Sequence, residues 1–419
     1  LHSVMMQEKR GMMKAWNMWL IFVTFLMSIL GTFLTRSGVV SSVHAFAQSS
    51  IGDWFLWFMG TTLAVCTFVF LRNRRHLKSE NKLESLISRE SSFMFNNIVL
   101  LASCFTVLWG TLFPILSEYV QGHKVTVGPP FYNRVNLPIG VFLLFLTGLG
   151  PLLAWRSTSF QSIKRNFMIP ASLALITAIA LVVGGMRPWE DSTTMFSLMT
   201  LSIAVFVGAT VISEFVRGGR VIAGKSGKNL GAAMVQLTMR NTRRYGGYLV
   251  HMGVVLIVIG FAGNAFNQTK EIELGTGDKM EIGSYTIVNR QYWQDDTPNY
   301  ETEYAMLDIY KGGKQVSQLF PERRVYKASA QPSTMVAIRS TLKEDLYIIY
   351  AGKNNESDRP IIKAFVNPLV NWVWLGVLVI IAGTGVALFP NAAPAKLSAP
   401  KKTPVAAAIP EQVGAGAGD

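Results

Sequence analysis

The sequence has few cysteines and few charged residues. Two of its 419 residues are cysteine, Cys66 and Cys104, and only 15% are Asp, Glu, Lys or Arg. Neither cysteine belongs to a Cys-x-x-Cys or Cys-x-x-Cys-His motif, so a disulfide framework, a zinc site and self-attachment of a c-type haem are not expected. Half of the residues are hydrophobic, a composition that excludes an ordinary soluble globular domain.

The sequence also lacks the residue patterns of several enzyme classes. Carboxylates are scarce in the apolar stretches, and no acid pair, Ser-His-Asp set or phosphate-binding glycine loop is evident. Hydrolysis and phosphoryl transfer are therefore poorly supported. A formal net charge of +14 would suggest nucleic acid in a soluble chain, but here the basic residues collect between apolar runs, as they do in cytoplasmic loops beside anionic lipids. No nucleic-acid partner is expected.

Eight apolar stretches are long enough to cross a bilayer, whose core of about 30 Å requires about 20 helical residues. The predicted spans are 15–34, 54–71, 93–116, 137–155, 167–183, 193–215, 245–266 and 365–389. The predicted fold is an all-α polytopic membrane protein with one extracytoplasmic β-rich domain between the last two helices. Residues 15–266 form its membrane domain of seven helices, and residues 1–14 are the end of a truncated preceding helix and a cytoplasmic loop.

The distribution of Lys and Arg predicts the orientation of these spans. Basic residues concentrate in 72–89, 156–165 and 217–244, whereas the short loops on the opposite side hold few. Because cytoplasmic loops carry the excess of positive charge, the basic side is predicted to be cytoplasmic. Residues 390–419, rich in Ala, Pro and Gly, are predicted to form a disordered cytoplasmic tail.

Residues 267–364 are predicted to form the β-rich domain outside the cytoplasm. Segments 285–288, 304–310 and 346–350 are rich in β-branched and aromatic residues, and Gly312-Gly313 is placed for a two-residue hairpin turn. We expect a small antiparallel barrel or sandwich.

The five histidines are the most informative chemical feature. His76 lies in a basic loop and His123 lies beside Lys124, so both are interpreted as solvated surface residues. His44 lies in an external loop whose one charge is Arg36, which suggests a loop against the membrane surface. That loop either packs against its own helices or contacts a haem edge, with His44 as an axial ligand and Arg36 near a propionate.

His251 and His2 could form a pair. His251 lies in an apolar run, where a polar ring is costly without a partner, so it is either a structural hydrogen-bonding residue or a ligand. His2 stands seven residues before Lys9, and His251 stands seven residues after Arg244. At 1.5 Å per residue, each ring lies about 10 Å from the cytoplasmic boundary. Two imidazoles at equal depth would suit a six-coordinate haem b.

Several short motifs resemble those of the CcmF family. They are Glu8-Lys-Arg-Gly11, the stretch 30–40, Ser42-Val-His-Ala-Phe-Ala47, Ser88-Arg-Glu-Ser91, Asn96-Asn97 and Pro321-Glu-Arg-Arg324. The resemblance extends from Leu1 to the last span. It implies cytochrome c-type biogenesis in a bacterial inner membrane, as a haem lyase subunit that helps reduce haem and attach it covalently to the Cys-x-x-Cys-His motifs of apocytochromes c.

The resemblance also implies cofactors, partners and residue roles. His2 and His251 would be the axial ligands of a transmembrane haem b that receives electrons from quinol, and His44 would bind the cargo haem at the periplasmic face. The implied partners are the haem chaperone CcmE, apocytochrome c and the apocytochrome-presenting subunits CcmH and CcmI. The family's N-terminal WWD-containing portion is absent, so this chain is expected to be an incomplete haem lyase and quinol-dependent haem reductase on its own. No residue is assigned a catalytic role.

Two alternative functions remain at this stage. Many spans with intramembrane polar residues also describe a haem transporter or permease, although the inverted repeats typical of permeases are not evident. A non-catalytic membrane assembly scaffold is the second alternative. Bound haem on the isolated protein would argue against both, and more strongly against the scaffold.

Overall fold

The computed structural model describes residues 1–37 and 51–391. The helices in these ranges are α1 (His2–Arg10), α2 (Lys14–Arg36), α3 (Ile51–Asn73), α4 (Arg89–Gln121), α5 (Pro129–Leu149), α6 (Phe160–Val183), α7 (Ser192–Ser226), α8 (Leu230–Arg240), α9 (Thr242–Ala262) and α10 (Asn371–Leu388). All except α1 and α8 are long and apolar enough to cross a membrane, so the described part contains eight candidate spans. The predicted number of spans is confirmed.

Some helices extend beyond the predicted spans. Helix α4 has 33 residues and extends beyond its predicted span at both ends, whereas α7 has 35 residues and extends mainly at its C-terminal end, to Ser226. A polar N-cap side chain begins each of these helices. The Ser88 hydroxyl accepts a hydrogen bond from the Ser91 N–H, and the Asp191 carboxylate accepts one from the Thr194 N–H. The predicted basic loop 217–244 is largely helical, since it contains the end of α7 and all of α8.

The β domain lies between α9 and α10 and contains two antiparallel sheets. Its strands are β1 (Gln268–Glu273), β2 (Lys279–Ile282), β3 (Tyr285–Asp296), β4 (Tyr300–Lys311), β5 (Lys314–Leu319), β6 (Glu322–Tyr326), β7 (Gln331–Met335), β8 (Ala337–Ser340), β9 (Glu344–Lys353) and β10 (Pro360–Pro368). One sheet has the order β1-β10-β9-β8, and the other has β2-β3-β4-β6-β7 with β5 paired to β4.

Alternating side chains of both sheets form the core of this domain. Ile287, Leu307, Ile348 and Ile362 are fully buried there. Gly312 and Gly313 join β4 to β5 with φ angles of 57° and 78°, which residues other than glycine rarely adopt. The predicted antiparallel β domain and its glycine hairpin are confirmed.

The predicted start of the last span is wrong. Residue 365 was expected to begin the eighth helix and 364 to end the β domain, but β10 continues to Pro368 and α10 begins at Asn371. Residues 362, 364 and 366 are apolar because they are buried in the sandwich core, whereas the helix that follows is apolar because it is a candidate membrane span. Hydropathy alone merges the two apolar runs.

Helices α9 and α10 pack backbone to backbone through glycines. A Cβ atom added to Gly253 would lie 2.7 Å from the carbonyl oxygen of Gly376, and one added to Gly376 would lie 2.5 Å from the carbonyl oxygen of Gly253. Gly246, Gly260 and Gly383 approach the opposite helix in the same way. These glycines therefore serve helix packing, and they fix α9 against α10.

Candidate functional site

The structure brings His2 and His251 together. Their ring centroids lie 6.5 Å apart, with an angle of 58° between the ring planes. His2 begins α1 and His251 lies in the middle of α9, so 249 positions of sequence separate two adjacent rings. This proximity is consistent with the equal depth predicted from the neighbouring basic residues, and it goes further because it shows that the two rings are adjacent.

An ion pair holds α1 against α4. The Arg10 Nε atom lies 3.1 Å from the Glu90 carboxylate, whose side chain is only 3% exposed. Both oxygens of Glu90 also accept hydrogen bonds from the Arg156 backbone N–H at 3.0 Å. Because a buried carboxylate is tolerated only when it is paired and hydrogen-bonded, this contact holds the C-terminal end of α1 against α4.

Two motifs that carry the family resemblance meet in this contact. Arg10 belongs to Glu8-Lys-Arg-Gly11, and Glu90 belongs to Ser88-Arg-Glu-Ser91. Sequence reasoning missed their structural role, although the opposite charges of the two motifs were a usable signal. The two motifs therefore have a positioning role, because their ion pair holds α1, the helix that carries His2, against α4.

Helix α2 contacts α1 through one buried amide. Asn17 is 4% exposed, and its Nδ2 atom donates to the Ser3 carbonyl oxygen at 3.1 Å and to the Gln7 side-chain oxygen at 2.7 Å. An unpaired amide at this depth would be costly, so these hydrogen bonds fix α1 beside α2.

Aromatic rings hold the plane of the His2 imidazole. Phe93 of α4 stacks on His2 with a centroid distance of 5.0 Å and an angle of 18°. Trp155 packs edge-on against Phe93, and the Arg89 guanidinium lies over Trp155. Asn96, one helical turn beyond Phe93, places its Nδ2 atom 3.0 Å from His2 Nδ1. Stacking and hydrogen bonding together restrict rotation of the His2 ring.

A polar cluster one to two helical turns before His251 fixes the rotation of α9. The Arg244 guanidinium donates to the Tyr248 hydroxyl at 3.1 Å and to the Glu214 carboxylate of α7 at 2.7 Å. Glu214 is 12% exposed at its side chain, so the pair is partly shielded from solvent. Sequence reasoning missed this cluster, because residues 214 and 244 are distant in sequence and neither stands in a recognisable pattern.

His251 itself is left with an unused nitrogen. Its Nδ1 atom is shielded from solvent and has no hydrogen-bond partner among residues 1–37 and 51–391. A buried polar atom without a partner is rare and requires an explanation. A hydrogen bond to a neighbouring helix, the structural interpretation considered above for His251, is therefore absent at Nδ1 in the described part of the chain.

The residues present fit an iron porphyrin held by two imidazoles. Imidazole nitrogens bind metals at about 2 Å, so two rings that ligate one ion from opposite sides have centres about 6 Å apart. The observed 6.5 Å separation is close to this value. Within the described ranges, no group of three or more His, Cys, Asp or Glu residues could hold a metal ion, so the pair lacks the further ligands that a zinc site requires.

Of the remaining predicted site residues, only Arg36 lies in the described part of the chain, and it does not join the histidine pair. Arg36 ends α2 as an exposed residue, and His44 lies in 38–50, outside the described residues. His76 and His123 are exposed, as expected for solvated histidines. Cys66 is a half-buried free cysteine and Cys104 is an exposed one.

The fold and the site define a class: a multi-spanning membrane protein with a β-sandwich between its last two helices and an imidazole pair in its membrane region. Residues 265–368 match the family model described as the CcmF C-terminal beta-sandwich. The chain is 28% identical to the cytochrome c-type biogenesis protein CcmF of Haemophilus influenzae over 93% of its own length and 58% of that relative's length. The resemblance to the CcmF family is thereby confirmed.

Other relatives give the same result. CcmF of Pseudomonas aeruginosa is 29% identical over 93% of this chain and 57% of the relative, and CcmF of Escherichia coli K12 is 28% identical over 97% and 60%. This chain therefore spans less than two thirds of the length of these curated relatives. These relatives are cytochrome c-type biogenesis proteins, and the chain is similar to them over nearly all of its own length.

A solved structure shares the fold. The structure titled Cytochrome c Heme Lyase CcmF superposes with a TM-score of 0.71 and 22% sequence identity, over 93% of this chain and 57% of that chain. The membrane helices and the inserted β-sandwich of the present chain therefore adopt the architecture of that protein.

Proposed function

We propose that this chain is the part of a cytochrome c haem lyase that holds a transmembrane haem b between His2 and His251. The observation that carries the proposal is the proximity of these rings in an apolar bundle, with one nitrogen of His251 shielded and unpaired. The names of the relatives supply the process, cytochrome c biogenesis. A bound haem b would supply reversible one-electron chemistry at this position.

The chain's own residues orient the two ligands. Phe93 and Asn96 hold the His2 ring, whereas the Arg244–Glu214 pair and the α10 glycines fix the helix that carries His251. The Nδ1 atom of His251 is shielded from solvent. Such an environment favours electron transfer over exchange of ligands with solvent.

The basic cytoplasmic loops support an orientation with the β-sandwich in the periplasm of a bacterial inner membrane. In this arrangement quinol would supply electrons for the ferrous state of the cargo haem. That haem would be delivered by CcmE and bound by His44 with Arg36 near a propionate, and CcmH and CcmI subunits would present the apocytochrome c. The portion of the relatives that this chain does not span would complete that external site.

The experiment is absorption spectroscopy of the purified full chain in detergent, oxidised and then reduced with dithionite. We expect the wild type to show the sharp bands of a low-spin b-type haem, and His2→Ala and His251→Ala each to lose them. His76→Ala and His123→Ala are matched controls, because both histidines are exposed and lie in the loops that follow α3 and α4. Both variants should retain the wild-type spectrum.

The alternatives give different outcomes. A folded wild type that contains no haem, even when it is co-expressed with the WWD-containing portion of a relative, would contradict the proposal and favour a scaffold. Haem whose spectrum survives both ligand substitutions would favour a transporter that binds haem elsewhere.

A further inference from the structure

The side chain of Asn96 makes a direct polar contact with the proposed ligand His2. Its Nδ2 atom lies 3.0 Å from His2 Nδ1, a hydrogen-bonding distance. Asn96 stands on the same helix as Phe93, whose ring stacks on the His2 imidazole and fixes its plane. Helix α4 therefore controls both the plane of the imidazole and the chemistry of its Nδ1 atom.

The direction of this hydrogen bond determines whether His2 can bind iron. An amide N–H that donates to Nδ1 leaves the proton of a neutral imidazole on Nε2, and a protonated nitrogen cannot ligate. Rotation of the Asn96 amide by a half turn about its Cβ–Cγ bond places Oδ1 at the same position. Oδ1 accepts the Nδ1 proton and leaves the Nε2 lone pair for iron.

We propose that Asn96 is a positioning residue that selects the ligating tautomer of His2 and sets the basicity of its Nε2 atom. The inference rests on the proposed function and deepens it. When a partner accepts the Nδ1 proton, the ring gains electron density and stabilises the ferric state. A stronger acceptor than the amide oxygen lowers the reduction potential of the bound haem, and removal of the acceptor raises it.

The neighbouring residue offers a matched control. Asn97 has a shielded Nδ2 atom with no hydrogen-bond partner in the described part of the chain, so Asn97→Leu removes no amide hydrogen bond from His2. The two asparagines are adjacent on the same helix and receive the same substitution, but only Asn96 contacts the proposed ligand His2.

The experiment measures midpoint potential by spectroelectrochemistry on the haem-loaded full chain, for the wild type, Asn96→Asp, Asn96→Leu and Asn97→Leu. For Asn96→Asp we expect a tenfold shift in favour of ferric haem, which equals a fall of about 60 mV for a one-electron couple. Asn96→Leu should shift the potential upward and weaken haem retention by about tenfold to a hundredfold, and Asn97→Leu should match the wild type. Thermal unfolding of each variant checks that the fold is retained.

Opposite shifts for Asp and Leu support the inference, because a purely structural defect would move both variants in one direction. If Asn96→Leu fails to retain haem, the sign of the Asn96→Asp shift decides alone. If the potentials of Asn96→Asp and Asn96→Leu shift in the same direction, or both equal the potential of Asn97→Leu, the role of Asn96 is overturned. The proposed His2–His251 site is unaffected by that outcome. A wild type without haem overturns both proposals.

Discussion

Two helix pairs of the membrane region differ in how they pack. Along α9 and α10, glycines bring the two backbones into contact, and five of them would each place an added Cβ within 3.0 Å of the opposite helix. Helix α3 packs mainly against α2, and no residue in its most apolar stretch is buried inside the protein. Trp54 and Trp57 of α3 are 74% and 75% exposed.

This difference shows how the chain supports its two candidate ligands. His251 lies on the closely packed pair, so its position is determined by contacts within this chain. Helices α2 and α3 present apolar surface to lipid or to other helices, and α2 supports His2 through the Asn17 contact with α1. The position of His2 therefore depends on a few polar contacts, whereas the position of His251 depends on an extended close-packed interface.

The largest effect is expected from filling the glycine contact between α9 and α10. In Gly253→Leu the new side chain would overlap Ile380 and the Gly376 backbone, which cannot move without separating the helices. We expect a loss of about 3 kcal/mol or more, measured as a fall in the thermal unfolding midpoint, together with loss of haem.

Gly60→Leu is the matched control on the loosely packed pair. Gly60 lies in α3, and an added Cβ there would meet nothing within 4 Å. This substitution should leave the unfolding midpoint and the haem content near wild type. Equal destabilisation by the two leucines would refute the contrast between the helix pairs.

An intermediate effect is expected where α1 is joined to α4. Arg10→Met leaves the buried Glu90 carboxylate without its cationic partner, and breaking a buried pair of this kind costs about 3 kcal/mol. Thermal unfolding reports the loss of stability, and reduced haem retention reports the displacement of His2.

Lys14→Met provides the comparison for this ion pair. Lys14 contacts Glu80 at 2.6 Å, but the Glu80 side chain is 67% exposed, so the pair is worth less than about 1 kcal/mol. If Lys14→Met costs as much as Arg10→Met, burial is not what makes the Arg10–Glu90 contact important.

The smallest effect concerns the end of the β-sandwich where β9 begins and β10 leads into α10. Burial is the largest influence on the pKa of Glu344 and raises it, but the hydrogen bonds with Lys311 and Tyr285 and the positive charges of Lys311 and Lys343 together outweigh burial, so the pKa lies below its ordinary value. The stabilisation is therefore fully present above the ordinary carboxyl pKa and is lost as the pH falls through the lower pKa of the folded state. The same hydrogen bond raises the pKa of Lys311.

Glu344→Gln should lower the stability of the full chain by about 1 kcal/mol at neutral pH, and its difference from the wild type should shrink on acidification. Thermal unfolding at neutral and acidic pH measures both quantities. Glu271→Gln is the control, because its partner Lys363 lies on the exposed face of the same sheet and the Glu271 side chain is 47% exposed. A difference between Glu344→Gln and wild type that grows at low pH would reverse the assigned sign.

Much of the architecture could be predicted from local sequence. The eight spans follow from hydropathy, because a helix in lipid must satisfy its backbone internally and cover itself with apolar side chains. The strands around residues 304–310 and 346–350, and the hairpin at Gly312-Gly313, follow from β-branched patterning and glycine φ angles. The start of α10 could not be located in this way, since the core strand β10 and the helix are both apolar.

The candidate site was predictable only in part. The neighbouring basic residues predict an equal membrane depth for His2 and His251, but depth does not determine which helices are adjacent. Asn96 stood in a motif of the family resemblance, yet its contact with His2 Nδ1 depends on the packing of α1 against α4. The pairing of Arg10 with Glu90 likewise joins residues 80 positions apart.

The sequence by itself determined that this is a membrane protein, how many spans it has and that a β domain is inserted between the last two. It also predicted an equal depth for two histidines. These properties depend on composition and periodicity along a short stretch of chain. The tertiary structure decided which helices lie side by side, and therefore that His2 and His251 face each other and that Asn96 contacts one of them. Lateral packing depends on glycine contacts and buried ion pairs between residues distant in sequence, which no local pattern specifies.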